Sequence, residues 1–321
     1  MYRIKFGLGF ETPFPARSED THSGSLQSIL KCLIYLSRFF GVVQISFADS
    51  QPDFGVVDIG WTIYSIVFMA VFASISLFLS SAISYGNAFT TPVVTGVFGV
   101  TSLAVLVSQA ASLFFRRDLA NIVNFIMPCT NLSKKTRKRA VALCCFQVLV
   151  LSLHLCGTFV RRLFIMNKEL LSFFRSTILS ISWDFITRFA QFYVYTIFLI
   201  FVQIITGKLE SLSEKIQSEL TILYRKSLVK RYLDIWKCAE KINQVFGLPL
   251  LFSLLMQFSR MVWYLYVVVT VAHNPGRTVG MFIMILCCAL EVAILLAVGD
   301  TASKTVRCSL RPNIVFSHRH D

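Results

Sequence analysis

Residues 59–115 read IGWTIYSIVFMAVFASISLFLSSAISYGNAFTTPVVTGVFGVTSLAVLVSQAASLFF and contain no Asp, Glu, Lys or Arg. A helix that crosses a bilayer needs about 20 predominantly apolar residues. These 57 residues are therefore long enough for two spans and a connection. Ser, Gly, Asn and Pro, which favour turns, cluster at 84–92. The stretch predicts membrane spans at 61–81 and 93–115.

Four further apolar runs follow along the chain and bring the number of predicted spans to six. Lipid offers no hydrogen-bond partner to an open sheet edge, and a barrel strand would alternate polar and apolar residues. The runs do not alternate, so we expect an all-α, polytopic membrane helical bundle. The four runs are Ala140–Val160, Ile178–Gly207, Ile242–Ala272 and Val279–Val298.

The composition agrees with a membrane protein rather than an ordinary soluble enzyme. Of 321 residues, 55% are hydrophobic and only 15% are charged, against about 25% charged in a soluble domain. The 30 Phe residues exceed what one water-soluble core can bury. The net charge of +14 indicates contact with anionic lipid, and we read the basic run Lys134–Arg139 as a topology anchor rather than a nucleic-acid patch.

The predicted spans divide the chain into three parts. We expect residues 1–59 to form a cytoplasmic N-terminal segment, 60–299 a six-span transmembrane domain and 300–321 a polar tail, in which we read Arg311–His320 as neither span nor helix. Within the first part, Ser25–Phe47 is apolar but is interrupted by Lys31 and Arg38. We read it as an amphipathic or interfacial helix, with a full span as the alternative. We expect no cleavable signal peptide.

The positions of Lys and Arg predict the orientation in the membrane. These residues favour the cytoplasmic side of short loops. With the N-terminus inside, 24 of the 31 lie on cytoplasmic segments, five lie in outside loops, and Arg188 and Arg260 lie within spans. This asymmetry predicts that both chain ends are cytoplasmic. The sequon at Asn131 then faces the cytosol and carries no glycan.

Four ionisable residues interrupt the last three spans. Such groups cost several kcal/mol in a membrane unless they are paired or hydrated. Asp184 and Arg188 are four residues apart on one helix face, where they pair or line a ligand cavity. Arg260 and Glu291 lie at similar predicted depths on consecutive antiparallel spans. We therefore predict an intramembrane Arg260–Glu291 ion pair.

Aromatic residues cluster in the outer halves of the last three spans. Aromatic rings commonly mark the membrane interface. The same rings, with a few placed polar groups, are also what a small polar ligand requires, so both interpretations stay open. The candidate ligand-binding residues are Trp183, Asp184, Arg188, Tyr193, Gln257, Trp263 and Tyr264.

The sequence lacks the motifs of known enzyme, metal and nucleotide sites. The nine Cys residues show no metal-ligand spacing, and none lies in a predicted outside loop. The motif at Val298–Asp300 has Ala297 where an intramembrane aspartyl protease has its first Gly. We expect no enzyme activity, no cofactor, no metal and no nucleic-acid partner.

Three segments, Tyr35–Val43, Thr206–Leu212 and Asn243–Leu251, together resemble segments of insect gustatory receptors. YLSRFFGVV at Tyr35–Val43 is similar to the family's entry into the first span. TGKLESL at Thr206–Leu212 continues a long fourth span into the cytoplasm, as in that family. NQVFGLPLL at Asn243–Leu251, followed by Phe258 and Trp263, is similar to the fifth span. The N-inside orientation agrees with this resemblance, which covers roughly residues 28–300.

The resemblance implies a plasma-membrane taste receptor that binds a small-molecule tastant. Family members resemble tastant-gated cation channels that assemble as tetramers, so we expect a homo- or hetero-oligomer. Their seventh, pore-lining span carries Thr-Tyr, five apolar residues and Gln-Phe. This sequence has no Thr-Tyr pair, so we expect the seventh span to be missing. A non-conducting modulatory subunit and a small transporter are the alternative functions.

The orientation can be tested with epitope tags. In unpermeabilised cells, antibody should reach neither a tag at the N-terminus nor one at the C-terminus, because both ends face the cytosol. Permeabilisation should expose both tags, and Asn131→Gln should leave the electrophoretic mobility unchanged. Staining of either tag on intact cells would refute the predicted orientation.

Overall fold

The computed structural model describes residues 23–48, 51–83, 91–127, 133–163, 170–218, 222–270 and 275–314. The described residues form eight α-helices and one two-stranded sheet. Most of the predicted turn at 84–92, Asn131 of the sequon and residues 273–274 before the last span lie outside them. In chain order the elements are α1 Ser23–Phe39, β1 Ile45–Ala48, β2 Gln51–Val57, α2 Ile59–Ile83, α3 Thr91–Phe114, α4 Arg116–Ile126, α5 Lys134–Leu163, α6 Leu170–Ser218, α7 Ile222–Thr270 and α8 Pro275–Ile314.

Six of these helices are long and apolar enough to cross a membrane, which confirms the predicted six-span helical bundle. At 1.5 Å per residue, the 49 residues of α6 and of α7 extend over roughly 74 Å, well beyond a hydrocarbon core of about 30 Å. Helix α7 continues unbroken through Pro249. The spanning segments are Ile59–Ser80, Thr95–Phe114, Lys134–Thr158, Ser182–Lys215, Ser227–Thr270 and Thr278–Thr305.

The last helix is longer than we predicted. Helix α8 runs to Ile314, so the prediction that Arg311–His320 is neither span nor helix is wrong for residues 311–314. Pro312 lies within its final turn. The ion pair between Lys304 and Asp300, at 2.6 Å, joins positions four residues apart on the exposed helix. Favourable i,i+4 charge pairs of this kind support a helix outside the apolar region.

Helix α1 packs one face against the bundle and exposes the other. Its buried residues recur at helical spacing, whereas Tyr35, Leu36 and Phe39 are exposed. This pattern is that of an amphipathic helix, and its position relative to the bilayer stays a prediction. The buried set is Leu26, Leu30, Leu33, Ile34, Ser37 and Arg38.

A short hairpin, which we did not predict from the sequence, follows α1. Gly41 adopts a φ of +65°, a backbone conformation that Gly takes without steric cost, and it redirects the chain into β1. Strands β1 and β2 pair antiparallel, with Ile45 opposite Val57. Helix α4, which we did not predict either, covers the hairpin. Its Asn124 side chain accepts from the Gly55 N–H at 2.6 Å and donates to the Gly55 carbonyl at 3.1 Å.

We refer to α1 and the hairpin, residues 23–57, as the N-terminal unit. Polar side chains connect it to the first two spans, α2 and α3. The Gln44 amide donates to the Ser65 hydroxyl at 3.1 Å and to the Ser112 hydroxyl at 3.2 Å. Gln109 donates to the Phe40 carbonyl at 2.8 Å. Buried polar groups need such partners. These bonds give the segment Tyr35–Val43 a structural role, because they hold it against α2 and α3.

Buried Arg38 anchors the hairpin to α1. Its guanidinium donates to the Ile45 carbonyl and lies 4.3 Å from the ring centroid of Tyr35 and 5.6 Å from that of Trp61. Burial lowers the pKa of Arg38. Next to it, a hydrogen bond from Ser46 lowers the pKa of Asp58 below its usual value.

Helix α6 is the most buried of the six spans, and it packs tightly against α5 at Gly207. A Cβ atom added there would lie 2.3 Å from Cγ2 and 2.6 Å from Oγ1 of Thr136. Thr136 has little freedom to move, because its hydroxyl lies 2.9 Å from that of Ser133, which also accepts from the Thr136 N–H. Close packing at this point therefore requires Gly.

Gly207→Ala should destabilise the protein by about 1–3 kcal/mol, because the added methyl overpacks the α5–α6 contact. The measurement is the unfolding midpoint of the full-length chain purified in detergent. Gly99→Ala is the matched control, since nothing lies within 4 Å of a Cβ at Gly99. Equal midpoints for the two variants would contradict the close packing at Gly207.

Candidate ligand-binding site

A group of polar side chains lies where α6, α7 and α8 pack together, toward the end of the bundle at which α6 and α8 begin. On α7, Gln257, Arg260 and Tyr264 are three and four residues apart, so they share one helix face. On α6, Thr187 and Gln191 are likewise four apart. We refer to the group as the polar cluster; its members are Thr187, Arg188, Gln191, Gln257, Arg260, Tyr264 and Glu291.

Arg188 is buried, with 4% of its surface exposed. Its Nη2 donates to the Tyr264 hydroxyl at 3.0 Å. Its Nε and Nη1 atoms are buried and have no hydrogen-bond partner. The predicted partner Asp184 lies one turn away and is partly exposed, whereas the hydrogen bond of Arg188 crosses to α7. Arg188 thus has unused donors inside the protein.

Arg260 is equally buried, with 3% of its surface exposed. Its guanidinium donates to the side-chain amide oxygen Oε1 of Gln191 at 3.4 Å and to the Thr187 hydroxyl at 3.3 Å. Both partners belong to α6. The two Arg residues therefore reach across the same interface from opposite helices, and Arg260 contacts the residue adjacent to Arg188.

Glu291 accepts a hydrogen bond from the Gln257 amide. Among the described residues, the ion pairs within 4 Å join Arg139 to Glu210, Lys241 to Asp118 and Lys304 to Asp300. The predicted Arg260–Glu291 ion pair is thus not a direct contact in the structure. Gln257, three residues before Arg260 on α7, contacts Glu291 in place of Arg260.

Three predicted site residues lie away from the polar cluster. Trp183 donates to the Ser76 hydroxyl at 3.2 Å and stacks on Phe98 with ring centroids 3.9 Å apart. Tyr193 packs against Phe40, at 5.5 Å between centroids. Trp263 is partly exposed and stacks on Tyr266. The structure brings together Arg188, Gln257 and Tyr264, with Arg260 and Glu291.

A model of the 7tm chemosensory receptor family matches residues 30–320 of the chain. The chain belongs to this family. No curated protein matches the sequence. Family membership and the six spanning helices make the protein a multi-pass membrane chemoreceptor.

The receptor also has cluster residues that we did not select from the sequence. Thr187 and Gln191 lie three and seven residues after Asp184, a helical spacing that could have revealed them. Cys288 is fully buried one turn before Glu291. The hydroxyls of Tyr195 on α6 and Ser253 on α7 are buried next to each other. These groups add polarity where α6, α7 and α8 pack together.

One side of the polar cluster is apolar and rich in Met. Tyr264 packs with Val267, Met281, Met284 and Cys288 in a small hydrophobic group of its own. Met side chains are flexible and polarisable, so they adapt to the shape of an apolar or aromatic ligand. The receptor thus places charged donors directly beside an adaptable apolar surface, a combination typical of small-molecule sites.

A double-mutant cycle on thermal stability can identify the partner of Glu291. Gln257→Leu and Glu291→Met should be coupled by about 0.5 kcal/mol or more, because each variant alone leaves the other polar group without its bond. Arg260→Met and Glu291→Met should show a smaller coupling energy, because no direct bond joins these two side chains in the structure. A larger coupling energy for Arg260 with Glu291 than for Gln257 with Glu291 would indicate a direct Arg260–Glu291 ion pair and contradict the observed geometry.

Proposed function

We propose that this receptor is a gustatory receptor of the plasma membrane, in which a small tastant bound at the polar cluster controls a cation-conducting pore. The polar cluster supports this proposal most directly. Two buried Arg residues and a Glu residue lie inside apolar spans, where uncompensated charge costs several kcal/mol. Such residues in a membrane protein mark functional sites.

The predicted orientation makes the cluster accessible to an external ligand. With both chain ends inside, the start of α6, the end of α7 and the start of α8 face outward. The α6 and α7 residues of the cluster lie in the outer halves of their spans, and Glu291 lies near the middle of the α8 span. The basic and extended parts of α6 and α7 then lie on the cytoplasmic side.

The long helices provide a route from the site to the cytoplasmic end. Helices α6 and α7 each pass from the cluster to the far end of the bundle without interruption. A ligand that binds one arrangement of these helices more tightly shifts the population toward that arrangement. The tetramer and the pore are carried over from the resemblance to gustatory receptors.

Whole-cell recording tests the proposal. Cells that express the full chain at their surface should respond to members of a panel of sugars, bitter compounds and organic acids with a cation current. Arg260→Gln should shift the effective tastant concentration upward by about tenfold or more, because hydrogen bonds to charged groups contribute about 1.5–3 kcal/mol.

Lys304→Gln is the matched control, because it removes one cation at an exposed position outside the cluster. It should leave the concentration dependence unchanged. Surface expression of every variant is measured by biotinylation. A chain that reaches the surface but gives no current with any compound would contradict the channel proposal, and saturable uptake without current would identify a transporter.

A further inference from the structure

The first two turns of α5 carry a dense group of cations. Five of the six residues at 134–139 are Lys or Arg, and the first turn has no acidic residue. Four of the five side chains are exposed, and at about 100° per residue their positions fall within an arc of about 140° around the helix. They therefore share one side of α5. We refer to them as the basic face; its members are Lys134, Lys135, Lys138 and Arg139.

The protein itself neutralises little of this charge. Arg139 lies 4.0 Å from Glu210 on α6, and both side chains are exposed. In the part of the chain that the structure describes, no other ion pair within 4 Å involves the basic face. Arg137, at the edge of the face, is partly buried, and its Nε and Nη1 atoms have no hydrogen-bond partner. The five cations thus have one carboxylate within ion-pair distance.

The cations of the basic face also repel one another. Lys134 and Lys138 are four residues apart, as are Lys135 and Arg139, and side chains at this spacing are neighbours on a helix. Like charges at this spacing destabilise the helix. An anion with several charges relieves the repulsion at more than one pair, which an anion with one charge cannot do.

The basic face lies at the depth of lipid headgroups. The charge-free part of the α5 span starts at Ala140, directly after Arg139. Six residues of helix extend over about 9 Å, and each headgroup layer is about 5–8 Å thick. The predicted orientation places this layer on the cytoplasmic side, where the anionic lipids are. The side chains of the basic face therefore reach the phosphate groups of that leaflet.

We propose that the basic face binds the headgroup of a polyphosphorylated inositol lipid. A phosphate monoester carries about 1.5–2 negative charges at pH 7, so an inositol ring with two of them contacts several cations of the basic face at once. Singly charged phosphatidylserine does not. The site adds a selective ligand to the interpretation of Lys134–Arg139 as a topology anchor, and it is separate from the polar cluster.

The test measures the unfolding midpoint of the full-length chain in nanodiscs at pH 7. One preparation contains phosphatidylinositol bisphosphate in phosphatidylcholine, and a second contains phosphatidylserine at the same total negative charge. A third contains phosphatidylcholine alone, with soluble inositol trisphosphate added. A ligand that binds the folded state raises the midpoint. We expect the highest midpoint with the inositol lipid.

A triple variant assigns the effect to the basic face. Lys134→Gln, Lys135→Gln and Lys138→Gln together should weaken binding of the inositol lipid about tenfold or more, because each cation near the membrane surface adds to the attraction. The measurement is the fraction of inositol lipid in the nanodisc at which half of the midpoint shift appears.

Two further variants control for charge and for folding. Lys230→Gln, Lys237→Gln and Lys304→Gln together remove three exposed lysines elsewhere and should bind the lipid as the parent does. Glu210→Gln removes the carboxylate beside Arg139 and should strengthen binding, a gain that misfolding cannot produce.

Three results would overturn the proposal. Equal midpoints with the inositol lipid and with phosphatidylserine would make the basic face a non-selective anchor. Equal stabilisation by soluble inositol trisphosphate would identify a soluble ligand instead of a lipid. An equal loss of binding in the triple variant and its three-lysine control would place the lipid elsewhere. None of these results depends on a tastant or a current, so the proposed function can fail while this site stands.

Discussion

A polar group inside a bilayer must find its partner within the protein, because lipid offers none. Because of this constraint all six spans are helices, in which the backbone N–H and C=O groups bond to one another. It also decides which helices pack together. The buried cations of α6 and α7 find their acceptors across the α6–α7 interface, at Tyr264 for Arg188 and at Thr187 and Gln191 for Arg260.

The same constraint operates at the other end of the bundle, where the N-terminal unit joins the spans. Gln44 bonds to hydroxyls on α2 and α3 at once, and Asn124 pairs with both backbone groups of Gly55. Each of these bonds connects segments far apart in the sequence. The 11-residue helix α4 and the hairpin are each too short to be stable alone. These bonds hold both of them against the bundle.

The sequence alone predicted the six spans well, because a charge-free run of about 20 residues has few other uses. It also located Arg188, Arg260 and Glu291 within spans. It did not predict their partners. Gln257 and Arg260 are less than one turn apart, so a small rotation or axial shift of α7 exchanges which of them faces Glu291. The hairpin was missed because side-chain bonds from Arg38 and Asn124, rather than strand periodicity, position it. Helix α4 was missed although its buried residues recur at helical spacing.

The polar cluster and the Gly207 contact are on the same rigid helix, which has a consequence for ligand-driven change. Arg188 and Gly207 are 19 residues apart on α6, or roughly 28 Å at 1.5 Å per residue. At Gly207 the helix backbone lies against Thr136 with no space for one additional methyl group. Packed interiors change between discrete arrangements rather than deform continuously. A movement of α6 at the polar cluster must therefore either carry α5 along or separate it from α6 at Thr136.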